Sequence, residues 1–125
     1  MRTSVQLTTE RLAGGMVTKS PAGCGAVVEF AGIVRAMEGG REIAGLDYEA
    51  YEPMARREIE RILDELAEVH PCEAVVVLHR VGHVPAGEAA ILVRIEAAHR
   101  MEAFGLLEEF MIRLKRDVPI WKRVP

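Results

Sequence analysis

The sequence predicts an α+β domain: two main helices packed on one face of a mainly antiparallel sheet. Three observations lead there. Residues 53–69 and 101–118 carry apolar side chains at helical spacing. Six other segments alternate in polarity or are rich in β-branched residues, as strands are. The resulting order, β, β, β, α, β, β, α, β, suits helices layered on such a sheet. A length of 125 residues, half of them apolar, is enough for one core and predicts a single domain over 1–125.

Each element follows from local chemistry. Val5 and Leu7 alternate with polar neighbours and predict a short first strand. Residues 14–25 hold Gly14-Gly15, Pro21-Ala22-Gly23 and Gly25, and read as a loop. Cys24 to Val34 reads as a mostly buried strand, interrupted at Gly32 by a bulge or a close backbone approach. Arg35 stands at its end, before a mobile polar loop, Glu38-Gly39-Gly40-Arg41. Ile43 to Tyr51 alternates, with Leu46, Tyr48 and Ala50 on one face and Asp47 and Glu49 on the other. In the first helix, Pro53 suits the first turn, and Ala55, Ile59, Ile62, Leu63 and Leu66 form the apolar stripe. His70-Pro71 ends it, because a residue before proline avoids helical dihedrals. Glu73 to Val81 is a β-branched strand, and Gly82 to Gly87, with Pro85 inside, reads as a connection. Glu88 to Ala98 is a strand with Ile91, Val93 and Ile95 facing the core and Arg94 and Glu96 facing out. In the second helix the expected core stripe is Phe104, Leu107, Met111, Leu114 and Val118. Pro119 stops that helix, and residues 120–124 form a short extended tail.

Composition excludes several function classes. No window approaches 18 consecutive apolar residues, so no membrane span is expected. The first residues lack the apolar run of a signal peptide, and Cys24 and Cys72 lie far apart. Two reduced thiols in a cytoplasmic protein are the expectation. A net charge of −3 and only six aromatic residues argue against a nucleic-acid partner. His79 and His83 have an H-x₃-H spacing, but it spans a strand end and a glycine turn. No metal site and no cofactor are expected.

The basic residues carry the functional signal. Thirteen of sixteen are arginine, and two of the three lysines, Lys115 and Lys122, lie close together near the C-terminus. Lysine can surrender its proton in a protein and arginine cannot. Arg113, Lys115, Arg116, Lys122 and Arg123 face one acid, Asp117, giving +4 in eleven residues and leaving −7 for the rest. Complementing the helix dipole explains the first three of those cations. It does not explain Lys122 and Arg123, beyond Pro119, which point to a local anion site. His99-Arg100 lies where a strand passes into a helix N-terminus, and reads either as an anion site or as a surface pair. Arg35 is either a ligand contact or a solvated strand end. Trp121 suits stacking on a heterocycle, anchoring a partner, or capping the core. An unbroken helix from Met101 to Lys115 separates its ends by roughly 21 Å. His99-Arg100 and Lys115 therefore serve different sites, or one composite pocket built by two subunits.

Together these residues resemble the large, catalytic subunit family of molybdopterin synthase. The resemblance is carried by Gly25-Ala26-Val27-Val28-Glu29-Phe30-Ala31-Gly32-Ile33-Val34-Arg35, by Leu46-Asp47-Tyr48-Glu49-Ala50-Tyr51 with Met54-Ala55, and by His79-Arg80-Val81-Gly82. It continues through His99-Arg100-Met101-Glu102-Ala103-Phe104, and through Lys115 followed by Val118-Pro119-Ile120-Trp121-Lys122-Arg123. It implies an α/β hammerhead-type fold and a homodimer within a heterotetramer. It implies a small ubiquitin-like partner whose C-terminal Gly-Gly thiocarboxylate donates sulfur to precursor Z, the cyclic pyranopterin monophosphate. It implies catalysis at Lys115 and Lys122, with substrate held by Arg35, His99 and Arg100. The alternative is a non-catalytic module that binds the C-terminus of a ubiquitin-like partner. Two positions depart from the family pattern: Ala36 stands beside Arg35 where Asn is common, and Val124 follows Arg123 where Glu is common. Many relatives also continue past the position of Pro125, with a tail that can add another basic group to the pocket.

Overall fold

The computed structural model describes residues 1–14 and 19–125. Of the expected loop at 14–25, residues 15–18 lie outside the described residues. The elements are β1 (Arg2–Thr8), β2 (Ala26–Ile33), β3 (Met37–Glu38), β4 (Arg41–Glu42), β5 (Gly45–Ala50), α1 (Met54–Ala67), β6 (Ala74–Arg80), β7 (Gly82–Pro85), β8 (Ala89–Ala97), α2 (Arg100–Asp117) and β9 (Ile120–Arg123). Among them β1, β6, β8 and β2 form a four-stranded sheet in that order, antiparallel except where β1 runs parallel to β6. Antiparallel β7, β5 and β9 form a second, three-stranded sheet. The α+β class is as expected, with both helices on the four-stranded sheet.

Strand alternation sets the main core. Val75, Val77, Ile91, Val93 and Ile95 project from one face and meet both helices. All five expected α1 stripe residues, Ala55, Ile59, Ile62, Leu63 and Leu66, are buried there. A smaller cluster of Val34, Leu46, Val84 and Ala90, with Tyr48 packed on it, ties the second sheet to the first. At Gly32 the β2–β8 register shifts, as the bulge reading required. A Cβ there would sit 2.7 Å from Ile91 Cγ2.

Four expectations are corrected. Gly82–Pro85 is a strand, β7, and not part of a connection. The positive φ of Gly82 turns the chain after β6, and Pro85 is tolerated because β7 is an edge strand. Glu38-Gly39-Gly40-Arg41 is the tip of the β3–β4 hairpin and not a loose loop. Gly39 and Gly40 both have φ > 0, as a two-residue hairpin turn demands. The buried face of α2 is Ala103, Leu106, Phe110 and Leu114, with Phe104 55% exposed. The small Ala103 allows close approach to the sheet, and the expected stripe lies rotated from it, with Leu107 and Met111 at the margin of the core. Glu96 does not face solvent. It is buried on the helix-free face of the sheet, where Ser20, Arg94 and Arg2 surround its carboxylate.

One close approach fixes the helix pair. A Cβ on Gly105 of α2 would lie 2.5 Å from Nδ1 of His70, just beyond α1. The imidazole therefore rests on the bare backbone of Gly105. Its Nε2 is 3.3 Å from a Glu109 carboxylate oxygen.

Candidate functional site

The structure extends the C-terminal segment into the second sheet. Val118 caps α2, its N–H donating to the Leu114 carbonyl, and Pro119 prevents the helix from continuing. The Tyr51 N–H then donates to the Pro119 carbonyl (3.0 Å), and β9 pairs with β5. The tail expected at 120–124 is thus a sheet strand. Lys115 and Lys122 flank the turn between α2 and β9.

Side-chain pairing separates the five cations of this segment. Arg113 reaches Glu65 at 2.6 Å and lies 3.9 Å from Asp117. Arg116 grips both oxygens of Asp117 at 2.9 Å. Among the described residues no carboxylate pairs with Lys115, Lys122 or Arg123 (the ion pairs of this region all involve Arg61, Arg113 or Arg116). All three are exposed. Local carboxylates therefore account for Arg113 and Arg116, the helix dipole favours Lys115 as it does Arg116, and among the described residues no carboxylate pairs with either lysine.

Register sorts β9 by face. Tyr48 of β5 lies opposite Lys122 on one side and Gly82 on the other. Asp47 lies opposite Arg123 and His83. Alternation puts Lys122 on the Tyr48 face, toward the smaller core cluster, and Arg123 on the opposite face. A groove of 410 Å³ takes its lining from both sets, Tyr48 and Lys122 as well as Asp47, His83, Trp121 and Arg123. The His83 Nδ1–H donates to Asp47 at 2.7 Å. Trp121 is 58% exposed, which removes core capping from its possible roles.

The remaining candidates sit apart. Arg35 follows β2 and lies 3.8 Å from Glu38 on the hairpin. His99 is the N-cap of α2 in extended conformation, and Arg100 is its first residue. Because α2 is one continuous helix, Arg100 and Lys115 are separated by about 22 Å of helix axis. A single chain does not bring His99-Arg100 to the lysines.

Other chemistries are poorly served. Burial pushes the Cys72 thiol up to about 11, with the Glu102 charge adding to the effect, so little thiolate forms. His79 is buried, its basicity lowered by burial, and its Nδ1–H donates to the Arg80 carbonyl at 2.8 Å. His83 is engaged by Asp47 instead. Among the described residues no group of three or more His, Cys, Asp or Glu converges as a metal site. No helix among them is long and apolar enough to cross a membrane. The sequence reading missed Tyr48 and Asp47–His83 as site residues, since each gains its place only through cross-strand register.

Comparison with known proteins identifies the family and the fold. The family model described as "MoaE protein" matches residues 3–117. The chain is similar to the molybdopterin synthase catalytic subunit of Rattus norvegicus, 37% identical over 122 residues, covering 95% of this chain and 60% of that protein. The chain thus spans well under two thirds of that relative's length. The fold is similar to the crystal structure of molybdopterin synthase from Staphylococcus aureus. The TM-score is 0.85 at 32% identity, over 95% of this chain and 88% of that one. It is also similar to a chain in a complex of subunits 1 and 2 of molybdopterin-converting factor from Helicobacter pylori 26695, with TM-score 0.66 at 30% identity, over 82% of this chain and 66% of that one. With a match across nearly all of its elements, this chain belongs to the MoaE family.

Proposed function

We propose that the chain is the catalytic subunit of a molybdopterin synthase. It takes sulfur from the C-terminal thiocarboxylate of a small ubiquitin-like subunit and transfers it to precursor Z, building the dithiolene of molybdopterin. The observation that carries this reading is the pair of lysines with no carboxylate partner among the described residues, Lys115 and Lys122, flanking one turn while neighbouring Arg113 and Arg116 are tied to carboxylates. Membership of the MoaE family supports it. The Helicobacter pylori complex of two subunits supports a small-subunit partner.

The chemistry suits the residues. The sulfur donor is an anion and the acceptor carries a phosphate, so both favour cations in a chain that is acidic overall. A thiocarboxylate is already nucleophilic and needs no metal. Departing oxygen needs protons, which a lysine with cationic neighbours is suited to supply. Lys115 is assigned the role of general acid/base or transient amine nucleophile. Lys122 holds the thiocarboxylate end or shares the proton work. Arg35, His99 and Arg100 hold phosphate and pterin. The 22 Å between the ends of α2 favours a composite pocket completed by a second copy of the chain over two separate sites, which makes the working unit a homodimer with a small subunit at each end. We place the reaction in the cytoplasm, where free thiols such as Cys24 and Cys72 persist.

The test is a single-turnover assay with thiocarboxylated small subunit and precursor Z, reading molybdopterin as its fluorescent oxidation product. The wild-type chain is expected to form product, and Lys115→Ala to lose at least about a hundredfold in rate while still binding the small subunit. Complex formation without product from the wild-type chain would overturn the catalytic reading in favour of a binding module.

A further inference from the structure

Tyr48 joins two parts of the site that are distant in sequence. On β9 its directly opposed partner is Lys122, and opposed side chains of an antiparallel pair stand on the same face. On β7 its partner is Gly82, which has no side chain and leaves open space beside the ring. The ring meets buried His79 edge-on, with centroids 5.3 Å apart and planes at 66°. It also packs on the cluster of Val34, Leu46, Val84 and Ala90. These contacts fix the ring. Among the described residues no hydrogen bond engages its hydroxyl, which is not sealed from solvent. Burial, and after it the charge of Glu38, raise the phenol's pKa above its ordinary 10.0, so the hydroxyl keeps its proton at neutral pH. Glu38 in turn lies 3.8 Å from Arg35. Tyr48 therefore neighbours Lys122 on one side and feels the Glu38 carboxylate of the hairpin, as a neutral donor with no protein acceptor among the described residues.

We propose that Tyr48 is a further ligand-contacting residue, its hydroxyl donating to the oxygen of the thiocarboxylate presented at Lys122. The inference rests on the sulfur-transfer reading above. Oxygen is the harder and better hydrogen-bond acceptor of a thiocarboxylate, and sulfur the softer nucleophile. Two hard donors, an ammonium and a phenol, select the oxygen and leave the sulfur turned toward the acceptor carbon. A second cation would serve this less well, because it would also attract the charged sulfur.

The experiment compares Tyr48→Phe and Tyr48→Leu with the wild-type chain, each assembled with small subunit ending in thiocarboxylate. Affinity is read by titration calorimetry, and sulfur transfer by single turnover at saturating small subunit from pH 6 to 9. Tyr48→Phe keeps the ring and its packing. It is expected to melt like the wild-type chain, bind the small subunit within about threefold, and transfer sulfur about ten- to a hundredfold more slowly. The deficit is expected to hold across that pH range, since Glu38, His79 and Lys122, the ionisable groups facing Tyr48, are common to both chains. A purely structural ring predicts the reverse: Tyr48→Phe equal to the wild-type chain and only Tyr48→Leu impaired. An active wild-type chain with Tyr48→Phe within twofold of it overturns this inference alone. A wild-type chain that binds but transfers nothing overturns the sulfur-transfer reading, and this inference with it.

Discussion

Replacing Gly105 by alanine sets two effects of known sign against each other. In an exposed helix, alanine in place of glycine stabilises by about 1 kcal/mol. Gly105 lies inside α2, so this gain is available. The new methyl would, however, stand 2.5 Å from Nδ1 and 2.6 Å from Cε1 of His70. Those atoms belong to a ring whose side chain is only 20% exposed, wedged between the helices. Forcing a carbon into such a contact costs about 1–3 kcal/mol. Gly105→Ala is therefore expected to destabilise by about 1 kcal/mol net, a fall of about 4 °C in Tm for a chain of this size. With His70→Ala as background the ring is gone, only the propensity term remains, and the same change should stabilise by about 1 kcal/mol. The sign reversal is a coupling of about 2 kcal/mol, well above the additivity error of distant sites. Urea unfolding of the four proteins in this cycle measures it. If Gly105→Ala stabilises the chain with His70 in place, the imidazole swings away freely and the assigned packing is wrong.

Two further outcomes are expected. Cys72, with its thiol at about 11, carries about one thiolate per thousand molecules at pH 8, so alkylation of Cys72 in a folded Cys24→Ser chain should be at least about a hundredfold slower there than in urea; equal rates would show that burial does not govern this thiol. Glu58, Glu65 and Asp117 are held below their ordinary ranges, first of all by hydrogen bonds from Arg61, Arg113 and Arg116 respectively. A depressed carboxylate contributes stability above its unfolded value and loses it as pH falls through the folded one. Tm should therefore hold above about pH 5 and decline below pH 4.5, less steeply in Glu65→Gln and in 1 M salt; a decline unchanged by both would place its cause elsewhere.

How much was legible in the sequence depended on whether a feature is local. The α1 stripe was read in full because only one arc of that helix is apolar. In α2 two arcs compete: Phe104-Leu107-Met111-Leu114 and Ala103-Leu106-Phe110-Leu114 share the helical period and one member. Periodicity identifies the helix but does not choose between adjacent arcs; the sheet chooses, through the small Ala103. Strand β7 was missed because four residues bounded by glycine and proline look like a turn, and only pairing with β5 makes them a strand. Glu96 misled because alternation tells faces apart but not what covers the second face. In the site, the charge excess of the C-terminal segment was visible as composition. That Arg113 and Arg116 are neutralised while the lysines are not depends on Glu65, from the other helix, and on Asp117 side-chain geometry. Tyr48 read only as sharing a strand face with Leu46 and Ala50, and its meeting with Lys122 arises from register between remote segments.

The strand order β1-β6-β8-β2 also governs how the molecule comes into being. Its outer strands come from the first third of the chain and its inner strands from the second half. β1 and β2 have no partner until the late strands exist, so no N-terminal portion can complete the four-stranded sheet by itself. Closing loops of this length before any pairing is gained slows folding and makes it cooperative. On a ribosome, β1 waits as unpaired, β-prone chain until β6 emerges, and β2 until β8 does. Conversely, a chain cut at the Gly39-Gly40 turn would leave two pieces, the outer strands on one and the inner strands on the other, each holding what the other lacks.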